Sequence, residues 1–178
     1  HLLVPTFPTI QLPNSMLRVY PERADYTSEL LKGLPLIVTN HRERSAFNFS
    51  PYQGEKLRPV ITYNYDNEHI TPYSFDVELD DNRMKAEYAL SHQSAIYRIT
   101  YEADKPAYLI VNSRNGSIHA NENFISGRQQ LNDNTNVYVY IEAQEKPISA
   151  GILENGTIET SKDNAEGANA CAAWRFAD

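Results

Sequence analysis

A single cysteine, Cys171, in 178 residues rules out an intramolecular disulfide and with it a small disulfide-built scaffold, while leaving export open. Uninterrupted apolar runs are only a few residues long, such as Leu109-Ile110-Val111. No segment approaches the roughly 20 apolar residues of a membrane-spanning helix. Positive charge is scarce as well: 16 Lys and Arg stand against 23 Asp and Glu, a net charge of −7. Nucleic acid and anionic membranes reward clustered positive charge, so neither is expected as a partner. There is no nucleophile elbow, no glycine-rich phosphate loop, no H-E-x-x-H and no cysteine pair, hence no self-sufficient catalytic or metal motif. Fixed-period repeats and Pro/Gly/Ser linkers are also missing. The first residues, His1-Leu2-Leu3-Val4-Pro5, carry neither Met nor a leader pattern, and the chain reads as processed, trimmed or excised.

What is present suits one domain, taken as residues 1–178. Hydrophobic residues make up 41% and aromatics 11%, enough to build a core and too many for a disordered chain. Eight strand-like stretches follow one another: 34–39, 60–65, 74–79, 85–90, 95–101, 107–112, 137–143 and 149–153. In Tyr73-Ser74-Phe75-Asp76-Val77-Glu78-Leu79 apolar and polar residues alternate, the signature of a half-buried strand, and Asp80-Asp81-Asn82 supplies turn chemistry. Val137-Tyr138-Val139-Tyr140-Ile141 consists of strand formers at every position and predicts a central strand or one covered on both faces. Helical signal is thin, limited to a turn at 25–32 with Gly33 as its cap. The segments 127–136 and 159–169 read as loops. The expected fold is all-β, an antiparallel two-sheet β-sandwich of supersandwich type with little helix.

The densest polar cluster is Thr39-Asn40-His41-Arg42-Glu43-Arg44, placed by the preceding apolar run at a strand end. It reads either as a sugar-facing site, with His41, Arg42 and Arg44 donating to hydroxyls, or as a solvated loop with a salt bridge; the residues alone favour the loop. Tyr52, in Pro51-Tyr52-Gln53-Gly54 just behind the cluster, is the aromatic that joins this site, because a tyrosine ring stacks on the C–H face of a pyranose. Asp76 and Glu78 share one strand face, yet the alternation turns that face outward, which favours solvation over a glycosidase carboxyl pair. Asp80, Asp81, Asp133 and Asn134 lack the spacing of a calcium loop, and no metal is assigned to them. Trp174 belongs to a final strand with Phe176 on the same face, and Cys171 reads as a small buried hydrophobe. Three glycosylation sequons, at Asn48, Asn115 and Asn155, are what an Asn-rich chain produces by chance.

The stretch Thr6-Phe7-Pro8-Thr9-Ile10-Gln11-Leu12-Pro13-Asn14-Ser15-Met16 resembles the TFPGA-x-LPFGM opening of glycoside hydrolase family 92, the calcium-dependent exo-α-mannosidases of gut Bacteroidetes. Residues 33–41 fall where that family has G-F-S-H-x-H. Residues 65–79 resemble its H-E-N-E-x-A-x-P-x-Y-Y-x-V-x-L, while Met84-Lys85-Ala86-Glu87 and 96–101 resemble its I-K-A-E and F/Y-R-x-T-F. Val137-Tyr138-Val139-Tyr140 and Lys146-Pro147 are similar to a later strand and its D-K-P exit. The pieces are collinear along nearly the whole chain. Two depart from the pattern: Asn14-Ser15-Met16 replaces Phe-Gly-Met, and Asn40-His41-Arg42-Glu43 replaces Ser-His-x-His.

The resemblance implies most of the family's N-terminal β-sandwich, which precedes a larger (α/α)₆ domain carrying the general acid, the general base and the calcium ligands. It implies an inverting hydrolysis with the two carboxyls roughly 6.5–9.5 Å apart, no catalytic residue or cofactor in this chain, and calcium in the full-length enzyme. Partners so implied are the C-terminal catalytic domain of the same polypeptide and an α-mannoside glycan, with His41, Arg42, Arg44 and Tyr52 on the pocket rim. Periplasmic or cell-surface residence follows from the same source. Two other classes of function stay open: a free-standing carbohydrate-binding module, which predicts an aromatic platform, and a surface-adhesion sandwich. A docked fragment instead predicts an exposed apolar patch.

Overall fold

Alternating apolar and polar residues at period two, rather than helical spacing, shape this chain. In the computed structural model, which describes residues 10, 12, 13, 17, 19, 22, 23, 28–37, 46–80 and 83–177, no helix occurs among the described residues. The strands are β1 (Leu30–Lys32), β2 (Leu34–Ile37), β3 (Ala46–Tyr52), β4 (Thr62–Ile70), β5 (Ser74–Leu79), β6 (Met84–Leu90), β7 (Ala95–Thr100), β8 (Ala107–Ser113), β9 (Gly116–Ala120), β10 (Ile125–Asn132), β11 (Thr135–Ile141), β12 (Ser149–Glu154), β13 (Thr157–Glu159), β14 (Asn164–Gly167) and β15 (Ala170–Phe176). They fall into two compact units, one within residues 1–45 and 62–100 and the other within 46–61 and 101–178.

The first unit holds a five-stranded antiparallel sheet in the order β1-β4-β5-β6-β7. Phe75, Val77 and Leu79 of β5 are buried together with Met84, Ala86 and Tyr88 of β6. Phe75 stacks on Tyr88 at 4.8 Å between ring centroids, and Tyr88 meets Tyr97 at 5.0 Å. Each such ring removes a large apolar surface from water, on the order of 2–3 kcal/mol before the entropy of ordering is subtracted. Asp80 makes the turn after β5 with φ of 51°, its N–H donating to the Asn64 carbonyl at 2.9 Å. Asp81 and Asn82 lie outside the described residues. Arg23 pairs with Glu68 and lies 5.0 Å from the centre of the Tyr65 ring.

The second unit is a sandwich. Its larger sheet runs β13-β12-β15-β8-β3, and its smaller one runs β11-β10-β9-β14. Trp174, Phe47, Phe49, Val111 and Ala172 are buried in this unit, as are Ile118, Ala120 and Ile125 of the smaller sheet. Two hydrogen bonds tie the layers: the Trp174 indole N–H donates to the Asn121 carbonyl at 2.7 Å, and the Phe47 N–H donates to Gln129 Oε1 at 3.0 Å. Gln129 Oε1 also accepts the Arg114 N–H at 3.1 Å, so a buried amide oxygen serves two backbone donors. Gly116 permits the closest approach, since a β-carbon there would lie 1.8 Å from the Arg128 carbonyl oxygen.

All eight expected strands occur, and the all-β antiparallel reading holds. Four expectations are corrected. Leu30–Lys32, given to a helix, is a strand registered on β4, because Leu31 fills the sheet's core at Tyr63; residues 25–27 of that expectation lie outside the described residues. The loop expected over 127–136 is a β10–β11 hairpin with only Asp133-Asn134 in the turn, since the ladders on both sides of β10 supply the order its polar side chains do not signal. The loop expected over 159–169 contains β14, which pairs with β9. Finally, β11 is an edge strand and not a central one: Tyr138 is 69% and Tyr140 60% exposed.

Candidate functional site

The four residues selected for the pocket rim separate at once. His41, Arg42 and Arg44 lie outside the described residues. Tyr52 is the last residue of β3, and not part of a loop, because β3 stays paired with β8 to the Tyr52–Tyr108 position. Its ring lies over Gly54, where a β-carbon would come within 2.3 Å of the phenol oxygen. Gln53 anchors the following turn: its Nε2 donates to the Glu102 carbonyl at 2.8 Å, and its Oε1 accepts the Glu102 N–H at 2.8 Å.

The segment 38–45 runs directly into β3, and the start of that strand carries polar residues where a core strand is normally apolar. Asn48, Ser50, Asn112 and Ser113 are all buried, with Asn48 opposite Asn112 across β3 and β8. Ser50 Oγ accepts the Ile61 N–H at 3.1 Å and donates to Asn48 Oδ1 at 3.3 Å. Asn112 Nδ2 and Ser113 Oγ have no hydrogen-bond partner among the described residues. Buried polar side chains are uncommon in a core strand, because a buried donor without a partner costs on the order of 1–3 kcal/mol.

An open groove of about 300 Å³ lies elsewhere in the second unit, lined by Asn121, Glu122, Asn123, Thr160, Lys162 and Asp163 among others. Its wall is rigid: Asn121 Oδ1 accepts the N–H groups of Asn123 and Phe124 at 2.8 and 3.0 Å. Lys162 is held by both carboxylate oxygens of Glu154 at 2.7 and 2.9 Å, which pushes its ammonium pKa up.

Beside this groove is the outer face of the smaller sheet. Register aligns two rows across the four strands, Tyr140–Ser126–His119–Asn164 and Tyr138–Arg128–Ser117–Glu166. Phe124 stacks on Tyr140 at 5.2 Å and meets His119 at 5.3 Å. The Tyr140 hydroxyl donates to Glu142 at 3.0 Å, and that hydrogen bond to the carboxylate pushes the phenol's pKa up. Arg128 reaches Asn136 Oδ1 at 3.3 Å and Glu166 at 3.4 Å.

Among the described residues no three His, Cys, Asp or Glu side chains converge as a metal group would require. The Cys171 thiol is buried and its pKa is pushed up to about 12 by loss of solvent, so no thiolate is available as a nucleophile. Asp76 and Glu78 face outward as the alternation implied; Asp76 sits at 3.2 Å from His69 and 3.6 Å from Lys85. Sequence reasoning missed the groove and the aromatic face. The only signal for the latter was the V-Y-V-Y alternation, which has strand formers on both sides and so does not say which side is wet.

Comparison with known proteins yields a family match and a set of structural likenesses. The model described as glycosyl hydrolase family 92 N-terminal domain matches residues 3–178. An inverting mannosidase of family GH92 from Bacteroides thetaiotaomicron VPI-5482 superposes with a TM-score of 0.82 at 18% identity, covering 97% of this chain and 26% of that one. A family GH92 α-mannosidase from Bacteroides thetaiotaomicron gives a TM-score of 0.82 at 20% identity, covering 97% of this chain and 29% of the other. This chain thus has the fold of little more than a quarter of each. The comparison with curated proteins found no match.

Proposed function

The chain belongs to the glycosyl hydrolase family 92 N-terminal domain family, and from that premise we propose that it is the non-catalytic N-terminal part of a calcium-dependent, inverting α-mannosidase. The observation that carries this reading is the family match over nearly the full chain, joined to the small share of the two longer mannosidases that it covers. In this reading the chain packs on a C-terminal catalytic domain of the same polypeptide. Its 38–45 segment, with His41, Arg42 and Arg44, lies at the rim of the pocket with Tyr52 nearby.

Two features support the assignment of roles. The buried polar strand end that holds Asn48, Ser50, Asn112 and Ser113 follows the rim segment closely, as a polar pocket margin would. Among the described residues no three His, Cys, Asp or Glu side chains converge as a calcium site would need, and Asp133-Asn134 is a two-residue hairpin turn. On family grounds, calcium and the acid and base that protonate the leaving oxygen and activate water are assigned to the remainder of the parent enzyme. Residence in the periplasm or at the cell surface, with an α-mannoside glycan as substrate, completes the proposal on family grounds.

The test is release of mannose from α-linked mannobioses by the 178-residue chain with calcium and again with EDTA. No release in either condition is expected. Calcium-dependent turnover by this chain would overturn the reading, because acid and base would then have to lie among its own carboxylates.

A further inference from the structure

The outer face of the β11-β10-β9-β14 sheet is built unlike an ordinary wet face. Solvent-facing strand positions normally carry charged or small polar side chains, because a bare aromatic surface gains nothing from water. Here the edge strand presents Tyr138 and Tyr140 at 69% and 60% exposure, two residues apart and so about 7 Å apart along the strand. Tyr140 is not a loose ring: Phe124 stacks against it and Glu142 fixes its hydroxyl, so little side-chain freedom is left to lose on binding. The neighbouring positions supply hydrogen-bonding groups, Ser126 opposite Tyr140 and Arg128 opposite Tyr138.

Charge selects among possible occupants. Arg128 is the sole cation in the two rows, and Glu166 and Asn136 already engage it, while Glu142 and Glu166 border the face. One cation already beside a carboxylate gives little net attraction for phosphate, sulfate or a carboxylate, while its remaining N–H groups can still donate to neutral hydroxyls. Nor do the two tyrosines form a cage around a cation, for they lie side by side on one strand face. Flat rings with hydroxyl, amide and guanidinium groups beside them suit a ligand that offers C–H faces and uncharged hydroxyls together, which is the surface of a sugar ring.

We propose that Tyr138 and Tyr140, with Arg128 and Ser126 beside them, form a binding platform for a neutral glycan chain, separate from the pocket rim of the preceding section. The proposal does not rest on the fragment reading: mannose release by this chain alone would sink that reading and leave the platform untouched.

Native affinity electrophoresis tests it, with the 178-residue chain run through gels containing yeast α-mannan, an uncharged glucan or an anionic polygalacturonate. Retardation by at least one neutral polysaccharide and none by the anionic one is expected. Tyr138→Ala and Tyr140→Ala should each weaken that retardation about tenfold, whereas Ile96→Ala, at an equally exposed position of the five-stranded sheet, should behave as wild type. Circular dichroism of each variant confirms the fold, and both tyrosines are exposed enough to be replaced without unfolding it. Three results would overturn the proposal: no retardation by either neutral polymer, stronger retardation by the anionic one, or retardation that survives loss of both tyrosines. Sedimentation showing that the tyrosines only hold two copies of the chain together, with no glycan effect, would overturn it too.

Discussion

Two of the sheets among the described residues turn a face to water in opposite ways. On the five-stranded sheet the outward row is Asp76, Glu87 and Arg98 in register, with Lys85 beside it at 3.6 Å from Asp76 and 3.4 Å from Glu87. On the four-stranded sheet the outward row begins with two tyrosines. Both arise from the same period-two alternation, so alternation tells which residues leave the core and says nothing of what they leave it for. A ladder of exposed ion pairs keeps a sheet soluble at little energetic gain, whereas exposed rings are maintained against the preference of water for polar groups. The difference is the ground on which the glycan platform is proposed for the second unit.

The sharpest way to break the contrast is to remove the sheet that carries the rings. Gly116→Val puts side-chain atoms against the Arg128 carbonyl, which lies within reach of even a β-carbon. With backbone as the obstacle no rotamer relieves it, and a loss of more than about 3 kcal/mol is expected in urea denaturation, together with loss of any glycan retardation.

A smaller effect should appear at alkaline pH and separate the inner faces. Burial pushes the Tyr97 phenol above its ordinary pKa of 10, and Tyr88 likewise, with the neighbouring Tyr97 as a further cause. The folded chain therefore holds these protons more tightly than the unfolded one. Their contribution to stability is fully present below about pH 10 and declines as pH rises above it. Urea midpoints are expected to fall between pH 9 and pH 11, and Tyr97→Phe should flatten that fall, at the loss of its hydrogen bond to the Pro35 carbonyl. An unchanged slope would place the alkaline sensitivity elsewhere, for instance at Tyr101, which is also raised by burial.

The smallest effect belongs to the charged ladder. Lys85 and Asp76 are 41% and 34% exposed, so Lys85→Met should change stability by no more than about 0.5 kcal/mol, and the change should vanish in 1 M salt. A larger and salt-resistant loss would show that the charged face is itself a packed surface, and the contrast would fail.

Much of the fold was legible because burial writes itself into period two. Phe75, Val77 and Leu79 had to share a side, and they are buried; Trp174 was placed in a final strand and lies in the core. The strands that escaped notice are those whose order comes from neighbours. Gly116–Ala120 and Asn164–Gly167 have few apolar side chains, yet they pair with each other and, through β10, complete a sheet. Ile125–Asn132 hides a buried Gln129 that reads as a loop residue, until Phe47 and Arg114 are found donating to it. The Asn155-Gly156 pair between β12 and β13 was a usable hairpin signal that passed as a sequon. At the pocket rim only Tyr52 can be compared with expectation, and its strand position comes from pairing with β8 rather than from its local sequence.

Composition and alternation alone settled that this is an all-β chain with a sizeable core and no disulfide, and collinear motifs pointed to the family. Those are properties of each residue and its near neighbours, so one strand at a time suffices to read them. Which strand lies at an edge, which face of Val137–Ile141 is wet, and that Asn48 and Asn112 oppose each other across two strands were decided only by tertiary structure. Those are properties of pairing between segments distant in sequence, and a strand former looks the same whether its far side meets another sheet or the solvent.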